Sequence, residues 1–245
     1  MYKKGTISWL EFSDRESLAT ELAAQLLTQL AAANNHDARA RLALSGGSTP
    51  LPLFRQLAAS DFDWRAVAIT LVDERYVELG HELSNHGFLA EHLLSKLDQQ
   101  PEFQPLVLPG RTARAAADEF NLGDLFAVSA DQPQFDAVVL GMGADGHTAS
   151  FFPDADNIGA LLGMDRSARV DTCYSASTQV DRITWLPASL CSTRTLVLHI
   201  TGQDKRAVFE TATEPEACDM VQLCELPIRR MLYQDQVPIT VYYAD

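Results

Sequence analysis

The chain has 245 residues, with 33 Asp and Glu against 19 Lys and Arg, a formal net charge of −14 at pH 7. A chain of this length buries a full core without disulfides or metals, and 47% hydrophobic with 21% charged residues excludes the disordered and fibrous classes. So acidic a molecule repels phosphate backbones, which excludes nucleic acid as a general partner; a small anionic ligand would need the few cations gathered around it.

In chain order, MYKKGTISWLEFSD (1–14) has two lysines but no apolar run before Glu11 and no cleavage-like site, so it is not read as a secretory signal. Ser13 and Glu16 have capping-box spacing, and Leu18, Leu22, Leu26 and Leu30 follow at helical period, which predicts an amphipathic first helix. RLALS (41–45) and AVAITLV (66–72) read as short buried strands, with a crossover helix over 51–59 between them. A helix is predicted over 85–97 and an Ala-rich one over 111–126, weakened by Gly123. FDAVVL (135–140) is a third core strand, and the segments 182–185, 196–201 and 238–243 are rich in β-branched and aromatic residues, as strands are. The stretch 154–178 is the least regular and reads as a long surface excursion. Strands alternating with helices predict an α/β fold, a doubly wound, mainly parallel sheet with helices on both faces.

No Gly/Ser-rich linker, charge block, low-complexity tract or repeat divides the chain, which predicts a single domain over 1–245. No apolar stretch approaches the roughly 18 residues a membrane span needs, so a cytoplasmic protein without a membrane partner is expected. Cys173, Cys191, Cys218 and Cys224 form no CxxC pair and no zinc-spaced cluster, and read as reduced structural thiols.

Open parallel sheets bind ligands beyond the carboxyl ends of their strands, and three segments lie there. Ser45-Gly46-Gly47-Ser48-Thr49-Pro50 follows RLAL. Its glycines permit a sharp turn, Thr49 is a good N-cap, and Pro50 suits the first helical position. That makes either a phosphate cradle at a helix N-terminus or a plain tight turn; without a P-loop Lys it does not indicate a nucleoside triphosphate. Asp73-Glu74-Arg75 follows AVAITLV, where a solvated turn is the ordinary reading of three successive charges. Ser84 and Asn85 stand ready to cap the next helix.

The third segment is Gly141-Met142-Gly143-Ala144-Asp145-Gly146-His147-Thr148, after FDAVVL. It satisfies G-x-G-x-x-G, but a dinucleotide loop should open a regular helix, and Phe151-Phe152-Pro153 interrupts soon after. His147 in a glycine-walled turn at a strand end suits a general base near neutral pH, with Asp145 placed to orient it or its water. Arg182 and Lys205 also fall beside predicted strand ends, a planar fork and a point charge fit for a phosphate pocket.

Taken in order, LALSGGSTP (42–50), VDERYV (72–77), SN (84–85), VVLGMGADGHTASFFP (138–153), RIT (182–184), TGQDKR (201–206) and LPIRRML (226–232) resemble the 6-phosphogluconolactonase family, which shares its fold with glucosamine-6-phosphate deaminases. The resemblance implies hydrolysis of 6-phosphoglucono-1,5-lactone to 6-phosphogluconate, a step of the oxidative pentose phosphate pathway, without metal or organic cofactor. It implies that His147 activates water, that Asp145 positions it, and that Arg75 stabilises charge on the lactone oxygen. Substrate binding then falls to Ser45, Gly46, Gly47, Ser48, Thr49, Asp73, Arg182 and Lys205. The implied partner is a small sugar phosphate, and the implied assembly a monomer or weak homodimer. The deaminases' corresponding run resembles GHIAFNEP, with a glutamate supporting the histidine; here Phe152 takes that place and cannot ionise, which weighs against ring-opening isomerisation. A sugar-phosphate binder that has lost catalysis is the reading from another class, and the joint presence of His147, Asp145 and Arg75 argues against it. RITWLPASLCSTR departs from the family's usual run, so Trp185 is expected to reshape the pocket wall.

Overall fold

The computed structural model describes residues 1–33, 39–123, 132–165 and 167–245. Strands β1 (Tyr2–Lys3) and β2 (Ile7–Glu11) precede helix α1 (Arg15–Ala33). Then come β3 (Ala40–Leu44), α2 (Leu51–Ala58), β4 (Val67–Leu71), β5 (Asp73–Arg75), α3 (Asn85–His92), β6 (Glu102–Gln104), α4 (Ala113–Leu122) and β7 (Phe135–Leu140). The remainder holds α5 (Ile158–Leu161), β8 (Val170–Tyr174), β9 (Asp181–Trp185), α6 (Pro187–Leu190), β10 (Thr193–Thr201), α7 (Gln203–Thr213), β11 (Ala217–Cys218), α8 (Met220–Glu225), α9 (Arg229–Leu232) and β12 (Ile239–Ala244).

Among the described residues, the main sheet has seven strands in the order β2-β12-β10-β7-β3-β4-β6, all parallel. Every residue of β4 is buried. Since successive side chains point to opposite faces, such a strand must be covered on both sides. That is why the central strands read as continuous apolar runs. On one side α1 lies across β3, β7 and β12, burying Leu18, Leu22, Leu26 and Leu30 completely. Its N-terminus departs from the predicted capping box: the Asp14 carboxylate accepts from the Ser17 amide at 2.7 Å, and Glu16 instead pairs with Arg55 of α2.

The chain runs outward from β3 through β4 to β6, then returns to place β7 on the other side of β3. Strand order therefore reverses between β3 and β7, and at such a switch point two diverging loops leave a crevice. A second, antiparallel sheet of order β5-β9-β8 stands over it. Its root is one residue long: the Val72 amide still bonds Leu44 of β3, while the Val72 carbonyl accepts from Trp185 of β9. The chain thus leaves the parallel sheet at Val72 and pairs Asp73 with Thr184.

Three expectations are corrected here. Asp73-Glu74-Arg75 is a strand, not a solvated turn, with Asp73 and Glu74 buried. The stretch 154–178 is no free excursion, since it contributes α5 and β8 and buries Leu161, Leu162, Val170 and Cys173. Trp185 is fully buried in the core, edge-on to Phe135 with ring centroids 5.1 Å apart, and does not line the cavity between β3 and β7. The helix expected over 111–126 ends at Leu122 with Gly123 as its C-cap, and residues 124–126 lie outside the described residues. The cysteines are free thiols, all but Cys224 buried. Among the described residues no helix is long and apolar enough to cross a membrane.

Candidate active site

A cavity of about 230 Å³ opens at the switch point, lined from β3 by Ser45, Gly46 and Gly47, from β7 by Gly141 and Gly143, and by His147. Asp73, Arg75 and Arg182 reach it from the antiparallel sheet, Asn85 from α3, His199 from β10 and Lys205 from α7. The ends of β3 and β7 are tied by one hydroxyl. Ser45 Oγ donates to the Val139 carbonyl and accepts from the Gly141 amide, both at 3.0 Å.

The glycine loop after β7 opens no regular helix. It folds back on itself: the Gly143 amide donates to the His147 carbonyl at 2.8 Å, and the Gly146 amide to Gly143 at 3.1 Å. Gly146 takes φ +77°, where a side chain would be strained. Thr148 Oγ1 anchors the loop to the Gly141 carbonyl at 2.8 Å. The outcome is direct contact between residues two apart, with His147 Nδ1 at 2.6 Å from Asp145 Oδ1. Burial acts to raise the Asp145 carboxyl, but the hydrogen bond and charge of His147 outweigh it and hold its pKa down at about 2. An ionised carboxylate only accepts, so it fixes the proton on Nδ1 and leaves Nε2 as the free lone pair. Phe152 stacks on the imidazole at 4.3 Å between centroids, and the Arg182 guanidinium sits 4.7 Å from the Phe152 ring centre on the same support.

Arg182 is buried and already engaged. Its Nε donates to Ser150 Oγ at 2.8 Å and its Nη2 lies 3.3 Å from Asp73 Oδ2, while Ser150 Oγ donates to the same carboxylate. Arg75 donates Nη1 to the Leu83 carbonyl at 2.8 Å, and its buried Nε has no partner among the described residues. Burial, and then the nearby charge of Arg182, lower the Arg75 pKa from its usual value. Lys205 forms no ion pair with any carboxylate among the described residues.

The SGGST loop differs from expectation at its helix. Thr49 is not the N-cap; Pro50 is, without a side-chain cap bond, and α2 starts at Leu51. The amides of Gly46 to Thr49 find no partner among the described residues. Gly47 has φ +88° with open space around it, and a Cβ on Gly46 would fall 2.2 Å from Asn85 Oδ1. Ser48 stands exposed outside the cavity lining, and Asp145, held against His147 Nδ1, is not part of that lining either. Asn85, Ser150 and His199 were not singled out as site residues. Asn85 and Ser150 lie inside the SN and DGHTASFFP segments, whereas His199 sits in an apolar strand run with no local signal.

Residues 13–239 match the family model described as glucosamine-6-phosphate isomerases/6-phosphogluconolactonase. The chain belongs to this family. A 6-phosphogluconolactonase of Rhizobium meliloti is 39% identical, with 95% of this chain and 97% of the relative covered. One of Mesorhizobium japonicum is 37% identical, with 97% of this chain and 95% of that one covered. A crystal structure of a 6-phosphogluconolactonase from Shewanella baltica superposes with a TM-score of 0.88 at 33% identity, over all of both chains. The α/β architecture with a mainly parallel sheet is thus the fold of this isomerase and lactonase family.

Proposed function

We propose that this chain hydrolyses 6-phosphoglucono-1,5-lactone to 6-phosphogluconate, with His147 as general base. The observation that carries the reading is the 2.6 Å His147–Asp145 contact, facing a cavity that also holds Arg75, Arg182 and Lys205. Its full-length likeness to 6-phosphogluconolactonases supports the same substrate.

The residue types match what the reaction demands. Ester hydrolysis needs a proton removed from water, charge on the carbonyl oxygen stabilised, and a proton returned to the departing ring oxygen. His147 Nε2 takes the proton from water as the new C–O bond forms. The imidazolium is stabilised by Asp145 and then returns the proton to the ring oxygen as the C–O bond to it breaks. Arg75, whose guanidinium lines the cavity, stabilises the developing oxyanion. The free amides of Gly46 to Thr49, with Lys205 and Arg182, hold the phosphate and orient the ester. A lactone is already activated, so general acid–base help of ~10²–10⁴ with this positioning suffices.

Phe152 beneath the imidazole weighs against the isomerising deaminase reaction, because it offers His147 a hydrophobic face and no shared proton. The decisive experiment adds freshly made lactone and follows acid release in a pH-stat, with 6-phosphogluconate measured as product. Acceleration over spontaneous hydrolysis is expected, without ammonia release from glucosamine 6-phosphate. No acceleration overturns the assignment.

A further inference from the structure

The hydrolysis scheme leaves one cavity-facing imidazole unused. His199 lies in β10, in register with Tyr242 of β12. The β10–β7 register pairs Leu198 with Leu140, which puts His199 beside the point where β7 becomes the glycine loop. Gly141 there has no side chain, and a Cβ built on it would meet only Ser45, at 4.0 Å. The floor is therefore uncovered above the histidine, which lines the cavity while only 4% exposed.

Neither ring nitrogen of His199 has a hydrogen-bond partner among the described residues, and Nδ1 is sealed from solvent as well. A buried polar atom without a partner is destabilising, and an apolar side chain of the same size would be better tolerated there. Burial, and then the charge of Arg15, push the His199 pKa down to about 4, so the ring is neutral at pH 7. A neutral imidazole has one N–H. Buried N–H groups are left unpaired more rarely than acceptors, so the proton belongs on Nε2 and the sealed Nδ1 keeps its lone pair. The floor then presents one uncharged donor. From His199 the chain runs through Gly202 directly into α7, where Lys205 is the third residue. The imidazole thus shares its side of the cavity with the cation assigned to the phosphate, whereas His147 and Arg75 arrive from other strands.

We propose that His199 donates Nε2–H to a phosphoryl oxygen of the substrate and so sets the preference for phosphorylated over unphosphorylated lactones. The proposal rests on the sugar-phosphate reading of the same cavity. It adds a directional, uncharged contact to the ionic hold of Lys205.

The test compares His199→Leu, which removes the donor, with His199→Gln, which places an amide N–H near the Nε2 position. His199→Leu should raise KM for 6-phosphogluconolactone about tenfold, the size of one hydrogen bond to a charged group, with kcat little changed. The ratio of kcat/KM between that lactone and unphosphorylated gluconolactone should fall by the same factor, and His199→Gln should restore most of it. An equal loss on both lactones, a loss confined to kcat, no loss, or no recovery in His199→Gln overturns the proposal. A second measurement needs no variant: long-range ¹H–¹⁵N spectra of the wild-type protein titrated with inorganic phosphate. The His199 Nε2–H resonance should shift while Nδ1 stays unprotonated, and an unmoved ring overturns the contact. A wild-type protein that responds to phosphate but hydrolyses no lactone would sink the reaction and keep the contact; activity without the response would do the reverse.

Discussion

A histidine two residues from its carboxylate partner meets it only if the backbone between them turns sharply, and Gly146 at φ +77° makes that turn. The approach is close on every side: a Cβ on Gly143 would lie 2.1 Å from His147 Nδ1 and 2.4 Å from Asp145 Oδ1. Gly143→Ala should therefore push the imidazole off its carboxylate and lower kcat toward the level of His147→Ala, a loss of ~10²–10⁴. Both variants should keep a near wild-type melting temperature and bind 6-phosphogluconate, which calorimetry checks; a fully active Gly143→Ala would mean that the loop moves freely. Asp145→Asn is milder in shape and more severe in chemistry. Its amide can donate to Nδ1, which drives the imidazole proton onto Nε2 and removes the base. The same pair leaves a mark on stability. The folded pKa of about 2 lies below the ordinary 3.8, so the contribution is present above pH 3.8 and lost as pH falls through 2. Melting curves from pH 5 to pH 2 should fall more steeply for wild type than for Asp145→Asn, by a small amount because solvent screens this half-exposed pair.

Element by element, what could be read from local sequence was the apolar strands. VAITL and FDAVVL announce themselves because burial on both faces demands near-continuous hydrophobicity. Strand β5 hides because its three residues are all charged, and their partners lie far along the chain. The Glu74 carboxylate accepts from the amides of Asn85 at 2.8 Å and His86 at 2.6 Å, and so caps α3 from outside the helix. It also receives the Arg75 amide at 2.7 Å. Strand β8, VDTCY, is equally hidden, since it becomes a strand only by pairing with β9. The capping role of Glu74 has a pH signature. Burial raises its pKa above 4.5 against the opposing backbone hydrogen bonds. A raised folded value means stability that is full below pH 4.5 and lost as pH rises through the folded pKa. Glu74→Gln has one acceptor oxygen fewer and should be less stable than wild type at pH 4. That gap should narrow by pH 7, because only the wild-type side chain must ionise in a buried place. A gap that widens with pH would show that the backbone donors outweigh burial.

At the scale of the whole molecule, a chain with 33 acidic residues has a cavity whose walls carry arginine and lysine, and the fold itself does the concentrating. The order of strands, and with it the crevice between β3 and β7, is set by which crossovers the chain takes. No single segment encodes that choice, although the glycine turns at both strand ends were visible in advance. The antiparallel sheet is what brings Asp73 and Arg182 together across 109 positions of sequence, with side chains only 8% and 5% exposed. Site and architecture therefore share a residue, and this separates Arg182 from His147 experimentally. Arg182→Ala strands the Asp73 carboxylate in the interior, which destabilises by about 3–5 kcal/mol and lowers the melting temperature by roughly 6–20 °C in a chain of this size. Activity should fall with it. The double variant Asp73→Asn, Arg182→Met removes both charges, and because a neutral replacement of a buried pair is tolerated far better than half a pair, it should regain most of the lost melting temperature. It should stay inactive, since the cation is still missing from the cavity. A double variant as unstable as Arg182→Ala would mean that packing of the guanidinium on Phe152, and not charge pairing with Asp73, is what Arg182 contributes to stability.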